Sequence, residues 1–190
     1  MEFKFNAQHR LLGLSECERL CGTGSREIEG LAQRAGWRGA PGERVNVSVG
    51  TALNMSVLSI VMKQGIELQS MAAWLPGLRE GALLELGMNT SNWLFEGSEE
   101  AGKTFWPMLW GNRDVVRPRI APLLGCYSTL TTHQLRFFSP SDVECLTSTR
   151  ADNGQSGRTP RFTIYAHAIA EHLQVTCGSP LFTATTATPR

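Results

Sequence analysis

The segment from residue 161 to residue 177, RFTIYAHAIAEHLQVTC, constrains the fold of this chain more than any other stretch. Its two ends, 162–165 and 173–177, are rich in β-branched and aromatic residues, which favour strands. A second candidate strand covers Thr129–Phe138. A strand across 161–177 with an irregularity near Ala170 would therefore form an antiparallel pair with it at the C-terminal end of the chain.

The same segment also fits a helix over Tyr165–Val175. Alanine is frequent there, and Ala166, Ile169 and Leu173 recur at a spacing that places them on one helical face. We favour the strand because both ends of the segment have the composition of a strand. A helix here would remove the last strand of the predicted sheet and would therefore weaken the prediction of a mainly β fold.

Residues 8–37 predict helices. Ser15–Leu20 can open one short helix, and after a Gly-Thr-Gly turn Ser25 can cap a second helix over Arg26–Ala35. The second helix has one apolar stripe, formed by Ile28, Leu31, Ala32 and Ala35. Gly36 is placed to end it.

From residue 43, apolar residues recur at every second position. Val45, Val47 and Val49 alternate with polar residues, which is typical of a half-buried strand. The stretch Leu53–Leu68 is ambiguous between helix and strand. Short strands are predicted at Leu83–Gly87 and Trp93–Phe95, a loop at Glu96–Gly102, and a long polar loop at Cys145–Arg161.

Short strands with frequent turn signals predict a mainly β fold. We expect an antiparallel, jelly-roll-like β-sandwich with an N-terminal helical arm. Residues 1–42 would form that arm or a small helical subdomain, residues 43–180 the β-rich domain, and residues 181–190 an extended tail.

The chain is weakly charged and close to neutral. Charged residues make up 18% and hydrophobic residues 42%, and the net charge is +1, from 15 Arg and 3 Lys against 17 acidic residues. This balance argues against a protein whose main task is to grip a phosphate backbone, although a local Arg patch is compatible with it. The longest apolar run, Val57–Met62, is too short to span a membrane.

One formal motif is present, a phosphate-loop pattern at residues 97–104, GSEEAGKT. Such a loop cradles phosphates with backbone N–H groups, a Lys and a hydroxyl. Here Glu99 and Glu100 stand where the phosphates would lie, and Pro107 falls in the helix that should follow. We interpret the pattern as a chance match in a surface loop.

No catalytic or metal-binding constellation is apparent. The sequence has no Gly-x-Ser-x-Gly turn and no Cys with a companion His in a recognisable setting. Cys17 and Cys21 lie four apart, but no second Cys/His pair has a matching spacing for zinc. We therefore predict a protein that is not an enzyme and has no catalytic residues, cofactor or metal. Five cysteines without a framework spacing indicate free thiols and a reducing compartment.

Leu14–Trp37, followed by the Gly42–Val49 strand, resembles the winged-helix domains of phage Mu-type transposases and repressors and of excisionases. The resemblance covers about a quarter of the chain. It implies a DNA-binding regulator in which Arg26, Gln33 and Arg34 face the major groove and the Val45–Val49 strand leads the wing. The rest of such a protein would serve oligomerisation in the cytoplasm.

A second resemblance is to picornavirus-like jelly-roll capsid proteins. Ser25–Gly36 is similar to the arm helix of that family, and Ser128–Phe138 and Pro160–Ala168 are similar to its last two strands. The resemblance implies a structural capsid subunit of a virion, assembled with copies of itself or sister subunits and present in the host cytoplasm during assembly. It would meet an RNA genome through scattered arginines of the arm, namely Arg10, Arg19 and Arg26, and would involve no membrane. We favour this function, with the DNA-binding regulator as the alternative.

Overall fold

The computed structural model describes residues 3–40, 43–66, 71–127, 132–139, 142–146 and 158–187. The helices are α1 (Leu14–Cys21), α2 (Ser25–Arg34), α3 (Val49–Lys63), α4 (Leu75–Met88), α5 (Glu99–Met108), α6 (Arg113–Ile120) and α7 (Ala166–Cys177). The strands are β1 (Phe5–His9), β2 (Leu11–Gly13), β3 (Asn46–Ser48), β4 (Trp93–Glu96), β5 (Gln134–Ser139), β6 (Asp142–Leu146), β7 (Phe162–Tyr165) and β8 (Phe182–Thr186).

The prediction of a mainly β sandwich is wrong. About 50% of the described residues are helical and 22% are in strands, and these strands form small sheets of two or three members with no sandwich or barrel. One sheet has the order β1-β8-β4, with β1 antiparallel and β4 parallel to β8. A second pairs β2 with β3, and a third has the antiparallel order β6-β5-β7.

The C-terminal segment is a strand only at its start. Phe162–Tyr165 pairs with β5, and the chain then turns into helix α7, so the favoured strand interpretation of residues 166–177 is wrong. The buried residues of α7 follow the helical period and are Ala166, Ile169, Ala170, Leu173 and Cys177. Helix α7 packs mainly against α4, and contacts α1 and α3 as well. Burial of this stripe outweighs the strand propensity of Val175 and Thr176.

Helices α3 and α4 form the centre of the molecule. Ser48 caps α3, its hydroxyl accepting a hydrogen bond from the Thr51 N–H at 3.2 Å, and nearly every residue of α3 up to Val61 is buried. Helix α4 is similarly buried, and it contains the Leu83–Gly87 segment that was predicted to be a strand. A short apolar run buried on all sides has no period that separates strand from helix. That prediction is wrong for this reason.

Other local predictions have mixed outcomes. The N-terminal helices are confirmed as α1 and α2, although Gly24, one residue before Ser25, is the N-cap of α2. The Trp93–Phe95 strand is confirmed as β4, but the predicted loop after it becomes helical from Glu99. The candidate strand at Thr129–Phe138 is confirmed from Gln134, and residues 129–131 lie outside the described ranges, as do residues 147–157 of the predicted polar loop.

The two ends of the described chain meet. β1 pairs with β8 along its whole length, from Phe5 opposite Thr186 to His9 opposite Phe182. The guanidinium of Arg10 donates to the Cys177 carbonyl at 2.8 Å and pairs with Glu16 at 2.6 Å. These contacts satisfy a carbonyl at the C-terminal end of α7 and place a positive charge where the helix dipole favours one.

Within the described ranges, no helix has both the length and the apolar character that crossing a bilayer requires.

Candidate nucleic-acid interface

Helices α1 and α2 are joined by a turn of three residues, Gly22, Thr23 and Gly24. Gly22 has a φ of 60°, the left-handed conformation that commonly ends helices, and its N–H donates to the Glu18 carbonyl at 2.8 Å. The two helices bury apolar stripes, Cys17, Leu20 and Cys21 on α1 and Ile28, Leu31 and Ala32 on α2. A glycine-containing turn of this length joins two helices both in helix-turn-helix units and in αα-hairpins.

The outer face of α2 is exposed and carries the predicted nucleic-acid residues. Arg26, Gln33 and Arg34 are all exposed. Because Gln33 and Arg34 lie seven and eight residues after Arg26, about two helical turns, the structure brings the three onto one face. Within the described ranges, neither Arg26 nor Arg34 has a hydrogen-bond or ion-pair partner. Their guanidinium donors are therefore available to a ligand.

The arm arginines expected to meet RNA differ in their surroundings. Arg10 is bound to Cys177 and Glu16 as described above, and Arg19 donates to the Thr176 carbonyl at 3.4 Å. Both side chains therefore hold the end of α7, whereas Arg26 faces solvent on α2. Two of the three arginines are therefore engaged within the chain.

A groove of about 520 Å³ lies between α2 and the C-terminal end of α3. Its lining residues are Gly22, Thr23, Arg26, Glu27, Gly30, Leu31, Arg34, Ser59, Met62 and Lys63. Three cationic side chains and one carboxylate therefore line it. The Lys63 ammonium donates to the Cys21 carbonyl at 2.7 Å, and the Ser59 hydroxyl donates to the same oxygen at 2.7 Å.

The thiol next to this groove, that of Cys21, has a raised pKa. Burial raises the pKa of Cys21 to about 11, with the Lys63 ammonium acting in the opposite direction. Cys17, four residues earlier, has its pKa raised to about 12, first by burial and then by the neighbouring Cys21 and Cys177. A thiol with so high a pKa remains protonated and is a poor nucleophile and metal ligand. Among the described residues, no group of three or more His, Cys, Asp or Glu is arranged to hold a metal ion.

The strand that follows α2 is short. β3, Asn46–Ser48, pairs with β2 and leads directly into α3 through the Ser48 cap. The Val45–Val49 segment, expected to lead a wing, is thus followed by a helix rather than by a returning strand.

The phosphate-loop pattern adopts a different geometry. Ser98 caps helix α5, its hydroxyl accepting from the Ala101 N–H at 3.3 Å, so residues 99–104 are helical. The Lys103 ammonium pairs with Glu99 at 3.2 Å and with Glu100 at 3.5 Å. In a phosphate loop, the residues between the two glycines would instead curl around the anion with their N–H groups pointing inward.

Sequence reasoning missed most of the groove, because only Arg26 and Arg34 of its lining were predicted as site residues. Ser59, Met62 and Lys63 were missed because the segment that carries them was ambiguous between helix and strand. A signal for the helix was nevertheless present. Ser48 precedes an apolar run that ends at Lys63, and a Ser cap with a basic last turn is typical of helix ends.

Comparisons with known proteins add no relative to these observations. No protein-family model, no curated protein and no solved structure matches the chain.

Proposed function

We propose that this protein binds double-stranded DNA through the exposed face of α2, in the manner of a regulator. The observation that carries the proposal is the placement of Arg26 and Arg34, which lie on one helical face with Gln33 and have no internal partner among the described residues. Arg10, Arg113 and Arg158, in contrast, are paired with carboxylates of the same chain.

The dimensions and chemistry of α2 suit the major groove. Ten residues make a helix about 15 Å long, and the major groove of B-DNA admits one α-helix. Arginine can bind guanine through two hydrogen bonds, and glutamine can bind adenine in the same way. Gly30 lies between the two arginines and has no atom within 4 Å of the position that a Cβ would take. The backbone of α2 is therefore open to close approach by a nucleic-acid strand.

The charge of the chain limits how tightly it binds as a monomer. Arg26, Arg34 and Lys63 are the cations along the groove side of α2, and Glu27 opposes them. Each phosphate that a protein neutralises adds about −0.9 to the slope of log K against log salt concentration. We therefore expect a modest affinity with a slope of about −2 to −3 per bound protomer.

The double variant Arg26→Ala/Arg34→Ala should reduce the magnitude of the salt slope by about 2, because each arginine that neutralises a phosphate contributes about 0.9. Fluorescence anisotropy of a labelled duplex, titrated at several salt concentrations, measures both the affinity and the slope. If one of the arginines contacts a base instead, its loss also costs about 1–3 kcal/mol of discrimination between sequences.

The matched control is Arg119→Ala/Arg161→Ala, which removes the same charge from two exposed arginines away from α2. This variant should keep a slope close to that of the unmodified protein. Equal losses in both double variants would indicate nonspecific attraction by net charge and would refute an interface on α2. Absence of duplex binding by the unmodified protein at low salt would refute the proposed function itself.

A further inference from the structure

We propose that the groove between α2 and α3 is a binding site for a small organic anion with an apolar body, such as an alkyl or aryl carboxylate, sulfonate or phosphate monoester. The site shares Arg26 and Arg34 with the proposed DNA-binding face. It does not depend on DNA, because its lining also includes residues of α3 and of the turn between α1 and α2.

The floor of the groove is apolar and open. Leu31 is buried beneath it, and Met62 is 44% exposed at its side. Gly30 is also in the lining, and nothing lies within 4 Å of a Cβ built there. The volume of about 520 Å³ falls within the range of about 300–1,000 Å³ that small-molecule sites occupy. A flat or extended apolar group of modest size therefore fits between the helices.

The rim of the groove is cationic from two sides. Arg26 and Arg34 lie one helical turn before and after Gly30 on α2, and Lys63 lies opposite them on α3. The Lys63 ammonium has three N–H donors, and its hydrogen bond to the Cys21 carbonyl uses one of them. Glu27 is the one carboxylate in the lining. The excess of positive charge selects an anionic head group, and charged hydrogen bonds are the strongest that such a head can make.

An unsatisfied hydroxyl lies at the same end of the groove as Lys63. The Oγ1 atom of Thr23 is buried and has no hydrogen-bond partner among the described residues. A buried polar atom without a partner is costly, and native structures contain few of them. Because the Oγ1 atom is buried, it could reach a head group only after a local shift of the turn between α1 and α2. The cationic rim, and the Lys63 ammonium in particular, is therefore what favours an anionic ligand.

Two fluorescent probes distinguish the contribution of the apolar floor from that of the cationic rim. 8-Anilinonaphthalene-1-sulfonate has an aromatic body and an anionic head, and N-phenyl-1-naphthylamine has the same body without the sulfonate. We expect the native full-length protein to bind the sulfonate probe with saturable fluorescence, and the neutral probe at least about tenfold more weakly, because a hydrogen bond to a charged group contributes about 1.5–3 kcal/mol. Inorganic phosphate alone should compete only weakly, because it leaves the floor uncovered.

Variants assign the binding to the groove. Gly30→Leu fills the open floor without removing a charge, and Lys63→Met removes the α3 cation but keeps an apolar stem of similar length. Each should weaken binding of the sulfonate probe by about tenfold or more. Arg119→Ala, which removes an exposed arginine outside the lining, and Lys103→Met, which removes an exposed lysine elsewhere, should leave it unchanged. Far-UV circular dichroism shows whether each variant keeps the fold.

The outcomes are distinct. Loss of probe binding in either groove variant, with retention in both controls, supports the site, and if Gly30→Leu does not fold, Lys63→Met still decides. Unchanged binding in folded Lys63→Met, or equal affinity for the two probes, overturns the proposal. The DNA proposal is tested separately by duplex binding. It fails if neither Gln33→Ala nor the Arg26→Ala/Arg34→Ala variant changes the affinity for the duplex. The sulfonate titration contains no DNA and is unaffected by that result.

Discussion

Replacing Leu173 with Ala should lower the free energy of unfolding by about 2–5 kcal/mol, the usual cost of truncating a large buried aliphatic side chain. Leu173 is fully buried on α7, on the face that packs into the core. The cost combines the lost burial of the side chain with the cavity that remains. Urea unfolding followed by far-UV circular dichroism measures it, as a lower midpoint with an unchanged m-value.

Val175→Ala is the matched control. Val175 is two residues further along α7 and is 80% exposed. In a strand, residues 173 and 175 would lie on the same face and have similar burial, whereas in a helix they lie about 200° apart. Because surface substitutions usually change stability by less than about 0.5 kcal/mol, we expect Val175→Ala to be close to neutral. Similar losses for the two variants would contradict the helix.

Gly81→Ala should destabilise the protein by about 1–3 kcal/mol, although Ala is the better helix former. A Cβ on Gly81 would lie 2.2 Å from the Thr132 carbonyl oxygen and 3.2 Å from the Ala166 Cβ. That carbonyl belongs to backbone fixed by the Thr132 N–H, which donates to the Gly77 carbonyl at 3.1 Å. Relief of the clash would require α4 to separate from this backbone and from the start of α7. Thermal and urea unfolding both measure the loss.

A Gly→Ala substitution on an open helical surface should instead raise the free energy of unfolding. Gly30 lies inside α2 with nothing near its Cβ position, so Gly30→Ala should stabilise the protein by about 0.5–1 kcal/mol. The pair changes the same atoms in two helices and differs only in what the new methyl group meets. Equal effects of the two substitutions would contradict the close contact of α4 with the Thr132 backbone and with the start of α7.

The capsid-subunit expectation rested on a sandwich that the described residues do not form. Assembly with copies of itself therefore has no support from the fold and stays a prediction. A sizing column tests it directly, because a capsid subunit should elute as defined oligomers or particles. The DNA proposal rests instead on α2, whose helical character and exposed residues were predicted locally and are present in the structure.

Helices and strands with one solvent-exposed face could be predicted from the sequence. Helix α2 has an apolar stripe at a period of 3.6 and polar residues on its outer side, so both its existence and the exposure of Arg26, Gln33 and Arg34 were predictable. Trp93–Phe95 and Phe162–Tyr165 are short segments of strand composition, and both are strands. In these elements, the order of polar and apolar residues already shows which side faces solvent and which side faces the core.

Helices α3, α4 and α7 required tertiary information. The first two are buried on nearly every side, so apolar residues occur all around them without a clear period, and such segments are compatible with either a strand or a helix. α7 was ambiguous because its ends have strand composition. Packing decided all three, and with α3 it decided the position of Lys63 opposite Arg26 and Arg34.

The sequence by itself therefore determined the helical pair near the N-terminus, the segment of strand composition that opens the 161–177 stretch, and the polar face of α2. The tertiary structure alone decided that the rest of the 161–177 stretch is a helix and that a cationic groove exists. The physical reason is that the order of residues within one helix or strand records which of its two faces is polar and which is apolar. A groove is formed by the faces of two separate elements, and a helix buried on all sides has no such contrast to encode.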